Sequence, residues 1–591
     1  MRFKLSNLKL LVSSAEIKKK FLVLQLLLFI SCLFEVGGIS LLGPLIYLAS
    51  DPQAAMEING FSFLFNAIGF NDETSFVLFF AISTIGFIAM GGIASFLSVT
   101  YLSKIATLGG VDLSQRVFDK YLFTDWSEYL LLDKSKMVNE IYQETVRVTQ
   151  NIFLPLLMIN KSIFLCVILI FFLITISWQV SLILFLSITS IYGILFLLLK
   201  SSLNTNSKRL TDAHQNRYKY LNDTFESMKQ IHIWNNEKLF QDGFSRASNS
   251  WGDALRSNMN ISLLPRYVVE TMILILAAGG IVFLIIGAEQ STLLKNLPSY
   301  SIFLFSGFKL LPAIQQIYTF SSTITGNVHS LNSLAHFLNE PTESIFRKTF
   351  NENLPEINSI RVKDIEFTYP DNSFSIHKTN LDFYRGQVIG ITGYSGSGKS
   401  TFVDMLMGLL QPTNGNFIIN DAEIDIYESK SWQKKISYLP PEIHLFNDTV
   451  EQNIHFSSEN DVDKVKLNEA LVSANLLGIE NLTPENYIKN INLSTGQVQR
   501  LGIARSTYRD HEVIIYDEPT SALDNNNKEQ FIKLIQSSKH SKITFFITHD
   551  LYLLKYTDQI VVFNQGEVEY FGDYKQGIQE SKSMRDLNRE K

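Results

Sequence analysis

The chain reads as two domains built for two solvents: an α-helical domain of six membrane spans, then an α/β domain carrying a phosphate loop. Three observations predict this. Of 591 residues, 46% are hydrophobic and 18% charged, a more apolar balance than a water-soluble protein of this size needs. The apolar residues concentrate before position 325, and the remainder of the chain has ordinary globular composition. Finally, Gly393–Ser400 reads Gly-Tyr-Ser-Gly-Ser-Gly-Lys-Ser between the apolar strand Val388–Ile391 and a hydrophobic helix starting near Lys399. In that setting loop amides and a helix N-terminus converge on one phosphate.

Six stretches are long and apolar enough to span a bilayer: 21–49, 75–100, 152–177, 179–199, 266–288 and 300–324. Arg2, Lys4, Lys9 and Lys18–Lys20 precede the first, but the run from Phe21 to Ala49 is too long, and too poor in cleavage signals, for a secretory leader. An even number of spans puts both termini on one side. Ser50–Thr74 holds no Lys or Arg, whereas 101–151 and 200–265 hold many, so the two basic segments are expected in the cytoplasm. They read as helices that leave the membrane and reverse near Trp126–Lys136 and Gln230–Lys238. Ile58–Phe70 is expected to lie as an amphipathic helix on the outer face.

The second domain alternates short β-branched strands with helical segments. The predicted organisation is a membrane domain at 1–325, a polar linker at 326–358, a nucleotide-binding domain at 359–578 and a charged, frayed tail at 579–591. Cys32 and Cys166 lie in apolar runs and form no disulfide framework. A net charge of -6 without a dominant basic tract argues against a nucleic-acid surface.

The loop implies a bound nucleoside triphosphate. Gly393, Tyr394, Ser395, Gly396, Ser397 and Gly398 offer backbone N–H groups, Lys399 reaches the β- and γ-phosphates, Ser400 holds Mg²⁺, and Thr401 comes next on the helix. Downstream, Val513–Glu518 is a buried strand ending in two acids. Asp517 is expected to bind Mg²⁺ through water and Glu518 to polarise the attacking water.

With Ser521–Asp524 after the acids and His549 after another apolar strand, the chain resembles the ATP-binding-cassette superfamily, and with six preceding spans it resembles an exporter half-transporter. The resemblance implies that Tyr369 stacks on adenine and that His549 contacts the γ-phosphate. It also implies that Leu493, Ser494, Thr495, Gly496 and Gln497 form the signature that opens a helix. Such a signature serves the ATP of a second cassette, so the resemblance implies a dimer, homomeric or heteromeric. Three places depart from the family's pattern: Pro441 stands where a glutamine is usual, Thr495 replaces the signature's first glycine, and Asn490-Ile491-Asn492 lacks the usual Gly-Glu-type segment.

The first span, Ser31–Ser40 with Pro44 and Leu48–Asp51, is similar to that of bacterial lipid-linked oligosaccharide flippases, as are Pro265-Arg266 with Glu270 and Lys309–Pro312. That similarity implies a multi-pass protein of the bacterial inner membrane, with termini and cassette cytoplasmic, that moves an amphipathic substrate such as a glycolipid. Arg266 and Lys309 are candidates for meeting a pyrophosphate head, with Glu35 and Glu270 as further in-span charges. A peptide, drug or lipid exporter stays open, as does an ATP-gated channel or the regulatory half of a heterodimer.

Overall fold

The computed structural model describes residues 15–589, except 51, 57–58, 71, 288–289, 340–353, 370–372, 428, 458–460 and 480–481. The residues divide into two compact units, 1–123 with 132–343, and 124–131 with 344–591. The short segment Thr124–Leu131 thus belongs with the nucleotide-binding unit.

The first unit is built from long helices: Ala15–Ser50, Glu73–Leu122, Leu154–Ile176, Trp178–Glu226, Glu237–Gly287 and Gln290–Asn339. Each overlaps one of the six expected stretches. Among the described residues, three helical runs, Glu16–Ser50, Glu73–Leu122 and Lys134–Ile176, are apolar and long enough to cross a membrane. A helix of 50 residues such as Glu73–Leu122 extends about 75 Å, far more than a hydrocarbon core of about 30 Å. Helices of that length therefore continue beyond the apolar stretch.

The chain reverses where expected. One reversal passes through short helices at Trp126–Tyr129 and Lys134–Asn139, the other through Met228–Trp234 and left-handed Asn235, φ 52°. The first two long helices approach closely at Gly91, where a Cβ would stand 3.3 Å from the backbone of Phe34 and Glu35; small residues permit such contact in membrane bundles. The helix expected on the outer face runs Asn59–Ile68, and its Phe61 and Phe65 pack on a cluster around buried Leu48 and Phe76.

The structure corrects two expected boundaries. The last long helix continues to Asn339, because Val328, Leu331, Leu334 and Ala335 are buried at helical spacing. Of the expected linker only 340–358 can lie outside that helix, and 340–353 falls outside the described residues. The charged tail is folded as helices Tyr574–Glu580 and Lys582–Arg589. Met584 is fully buried, and Glu569 accepts the Ser583 N–H at 3.1 Å, which fixes the start of the last helix.

The second unit holds two sheets. The strands are β1 Ser359–Thr368, β2 Ser375–Tyr384, β3 Val388–Gly393, β4 Asn414–Ile419, β5 Ala422–Glu423, β6 Ile436–Leu439, β7 Val513–Asp517, β8 Ile543–Ile547, β9 Gln559–Asn564 and β10 Glu567–Gly572. β2-β1-β4-β5 form an antiparallel sheet. The larger sheet has the order β10-β9-β3-β8-β7-β6, parallel except for β10. β3 and β8 are buried at every position, as strands covered on both faces must be. The registers Ile391↔Ile547 and Asp517↔Ile547 bring the carboxyl ends of β3, β7 and β8 to one edge, where open α/β sheets bind ligands.

Candidate functional site

The phosphate loop leaves β3 at Gly393, whose φ is 142° and where a Cβ would stand 2.1 Å from the Phe563 carbonyl oxygen. Gly396 and Gly398 also take positive φ, 76° and 109°. Only glycine adopts these angles without strain, and the resulting cup ends at the helix Lys399–Leu406. Lys399 Nζ donates to the carbonyl oxygens of Gly393 and Tyr394 at 2.8 and 2.7 Å. Burial lowers its pKa, against the pull of Glu518 and Asp517. Ser397 Oγ is buried and has no hydrogen-bond partner among the described residues. A buried orphan hydroxyl beside a desolvated ammonium fits a polyphosphate.

Asp517 ends β7 and accepts a hydrogen bond from Tyr438 Oη at 3.2 Å. Burial raises its pKa to about 6, with Glu518 adding to the rise. A divalent cation fits that environment, since it would compensate the buried charge. Tyr369 is half-buried, its Oη 3.4 Å from Thr401 Oγ1 and its ring edge-on to Phe367. Pro441 is exposed just past β6. It has no polar side chain, so on this strand it is Tyr438 that reaches Asp517.

Glu518 occupies the left-handed region at φ 50°, a strained angle for a residue with a side chain. Its N–H donates to the Ile547 carbonyl oxygen at 2.9 Å, and His549 Nδ1 stands 2.8 Å from its Oε1. The structure thus joins Glu518 to His549 across two strand ends. A carboxylate oriented by a neighbouring histidine can hold a water for attack.

Sequence reasoning missed Gln499. It is 4% exposed, its Nε2 donates to the Glu518 carbonyl oxygen at 2.9 Å, and its Oε1 accepts the Ala522 N–H at 3.0 Å. This one amide fastens the turn that bears Glu518. The available signal was its place on the helix opened by the signature, two residues beyond Gln497.

That helix is Thr495–Arg509. Ser494 caps it, accepting from the Gln497 N–H at 3.3 Å while Gln497 Oε1 accepts the Ser494 N–H at 2.8 Å, a reciprocal capping box. Gly496 is required by packing, as a Cβ there would stand 2.8 Å from the Ala522 carbonyl oxygen. Ser494 and Thr495 are exposed. Elsewhere in this unit, Trp126 Nε1 donates to Asp404 Oδ2 at 3.2 Å, and burial raises the Asp404 pKa to about 6.

In the membrane unit, Lys309 pairs with Glu35 at 3.0 Å and Arg266 with Glu270 at 2.9 Å. Neither cation stands alone as a head-group donor; each has a carboxylate of its own.

A cassette of this geometry following a unit of long apolar helices defines a half of an ATP-binding-cassette exporter. The chain belongs to the ABC transporter family: the family's ATP-binding region, described as ABC transporter, matches residues 376–521, and the ABC transporter transmembrane region matches 53–305. It is 24% identical over 507 residues to the ATP-dependent lipid A-core flippase 2 of Colwellia psychrerythraea, covering 84% of this chain and 85% of that protein. It is also 24% identical to the heterocyst differentiation ATP-binding protein HepA of Nostoc, covering 79% and 77%. A bacterial Atm1-family ABC exporter with ATP bound shares its fold at TM-score 0.76 and 17% identity, over 98% of this chain and 99% of that one. The chain is thus a multi-pass membrane protein and an ATPase coupled to transport, and a half-transporter of this architecture works as a dimer.

Proposed function

We propose that this chain is one half of an ATP-driven flippase that moves an amphipathic glycolipid outward across the bacterial inner membrane, with both termini and the cassette in the cytoplasm. The observation that carries the pump reading is the 2.8 Å contact of His549 with Glu518 beside a phosphate loop. Gating by nucleotide binding alone has no need of a water-activating acid. The glycolipid reading is supported by relatives named as lipid A-core flippases and by the similarity of the first span to lipid-linked oligosaccharide flippases.

In this mechanism Tyr369 packs against adenine, and the amides of Gly393–Ser400 cradle the phosphates. Lys399 exchanges its two carbonyl contacts for the β- and γ-phosphates. Ser400 and Asp517 would hold Mg²⁺, which supplies charge neutralisation at the transferring phosphate. Glu518 orients the attacking water, and His549 holds Glu518 and faces the γ-phosphate. Ser494, Thr495, Gly496 and Gln497 of the second half close over the same nucleotide. Binding favours the closed cassette pair and hydrolysis releases it, so the long helices alternate between two arrangements.

Two identical halves are the simplest assembly. Thr495 and Pro441 favour a second reading, a different half with an unaltered signature, and co-purification with only itself would rule that out. The test of function is a reconstituted vesicle assay of phosphate release and fluorescent glycolipid translocation. Glu518→Gln is expected to lower hydrolysis on the order of 10²- to 10³-fold and to stop translocation. Wild-type hydrolysis in that variant would overturn the assignment of Glu518.

A further inference from the structure

Where the chain returns from its first reversal, the helix is twice widened into π turns, at Glu140–Glu144 and Thr149–Phe153, with Arg147 between them. Such turns concentrate at functional sites because they rotate side chains out of the regular helical register. Arg147 is 9% exposed and lines a cavity of about 630 Å³ together with Glu144, Gln150, His214, Trp251 and Asn258, a size suited to a small-molecule ligand. The cavity lies wholly within the membrane unit, mostly on residues beyond the apolar stretches.

Its polar groups are incompletely satisfied. Arg147 Nε donates to Asn327 Oδ1 at 2.8 Å and Nη1 to Thr211 Oγ1 at 3.2 Å, with Glu144 Oε1 at 3.5 Å from Nη1. Its Nη2 is buried with no partner among the described residues, and so are Glu144 Oε2 and Asn258 Oδ1. Three such atoms around one cavity are costly unless a ligand completes them. Trp251 donates its indole N–H to His214 Nε2 at 3.0 Å. Burial, Arg147 and Arg217 depress the His214 pKa to about 4, so the imidazole is neutral.

The open valences include one cationic donor, one anionic acceptor and one amide acceptor. A phosphate would satisfy Arg147 but meet the Glu144 carboxylate beside it. A hydroxyl both donates and accepts, so neighbouring hydroxyls on a ring satisfy all three atoms without a charge clash, and Trp251 adds an apolar surface for ring carbons. We propose that this cavity binds a sugar ring of the transported glycolipid, separate from its lipid and phosphate parts, and so selects cargo by its glycan. This rests on the glycolipid reading above and narrows it.

The test is saturation-transfer NMR on the full chain in detergent, with short soluble oligosaccharides of hexoses and N-acetylhexosamines as probes and inorganic phosphate as competitor. Sugar-ring protons are expected to receive saturation in the wild type. Glu144→Gln and Asn258→Ala are each expected to weaken binding on the order of tenfold, whereas Arg256→Ala, at an exposed pair with Asp253, leaves it intact. Gel filtration and melting curves report whether each variant is folded. Hydrogen exchange on the wild type gives a measurement independent of any variant: the sugar is expected to protect residues 140–153. Absence of binding, binding unchanged in both folded variants, displacement by phosphate, or no protection of 140–153 would each overturn the site. Soluble sugar binding requires no ATP, so a chain that binds sugar without moving glycolipid keeps the sugar site but overturns the flippase reading, and with it the selection of cargo. One that moves glycolipid without binding sugar sinks only this inference.

Discussion

The two units place their polar chemistry in opposite ways. In the nucleotide-binding unit, Gly393, Asp517 and Ile547 sit at the ends of parallel strands whose register aligns them, so each site residue comes with a short local motif. In the membrane unit, the cavity around Arg147 draws on residues from 142 to 327 on several helices, and no short segment announces it. A strand end exposes the same chain position in every fold of this class. A helix face acquires meaning only once its neighbours are known.

The comparison breaks most sharply if the motif residues prove dispensable. Glu518→Gln carries the largest expected loss, on the order of 10²- to 10³-fold in phosphate release. Gln499→Leu comes next, because it touches no nucleotide but removes the amide's bonds to the Glu518 and Ala522 backbone. A loss on the order of tenfold in kcat with little change in KM for ATP is expected. A change confined to KM would mean that Gln499 acts on binding and that the turn holds its shape without it. Pro441→Gln sharpens the comparison in the other direction: restoring a side-chain amide past β6 is expected to raise hydrolysis about two- to fivefold, by the worth of one hydrogen bond. No gain in a steady-state assay would mean that Tyr438 already does that work.

Legibility in the sequence divides along the same line. The phosphate loop, the acid pair, the signature at a helix start and the alternation of strands with helices are readable because spacing and pattern are local. Gln499 was not, since a glutamine within a polar-looking helix reads as solvated until the packing of Ala522 and Ser521 shows otherwise. Lys309 and Arg266 drew attention as rare charges within apolar stretches, but sequence cannot pair residues as far apart as Glu35 and Lys309, which meet at 3.0 Å. Arg147 carries no signal for the converse reason: amid the polar stretch 101–151 it reads like any solvated cation, and its burial beside Asn327 and Thr211 is a tertiary fact. The helix through Asn339 extends past its expected end; its Ser, Thr and Asn residues mask the spacing of Val328, Leu331 and Leu334.

The smallest expected effect tests the membrane unit's tertiary burial directly. His214 accepts from Trp251 while Arg147 and Arg217 lie near enough to disfavour a further positive charge; burial, with these two cations adding to it, depresses its pKa from 6.5 to about 4. Between those values the unfolded chain binds a proton that the folded chain refuses. The contribution to stability is therefore complete above pH 6.5 and is lost as pH falls toward 4. Glutamine at this position can still accept from Trp251 but has nothing to protonate. The melting temperature of the wild type is thus expected to fall more steeply over that window than that of His214→Gln, by a few degrees in all, with the two profiles parallel above pH 7. Parallel profiles throughout would place His214 in contact with water, and with it the wall of the cavity.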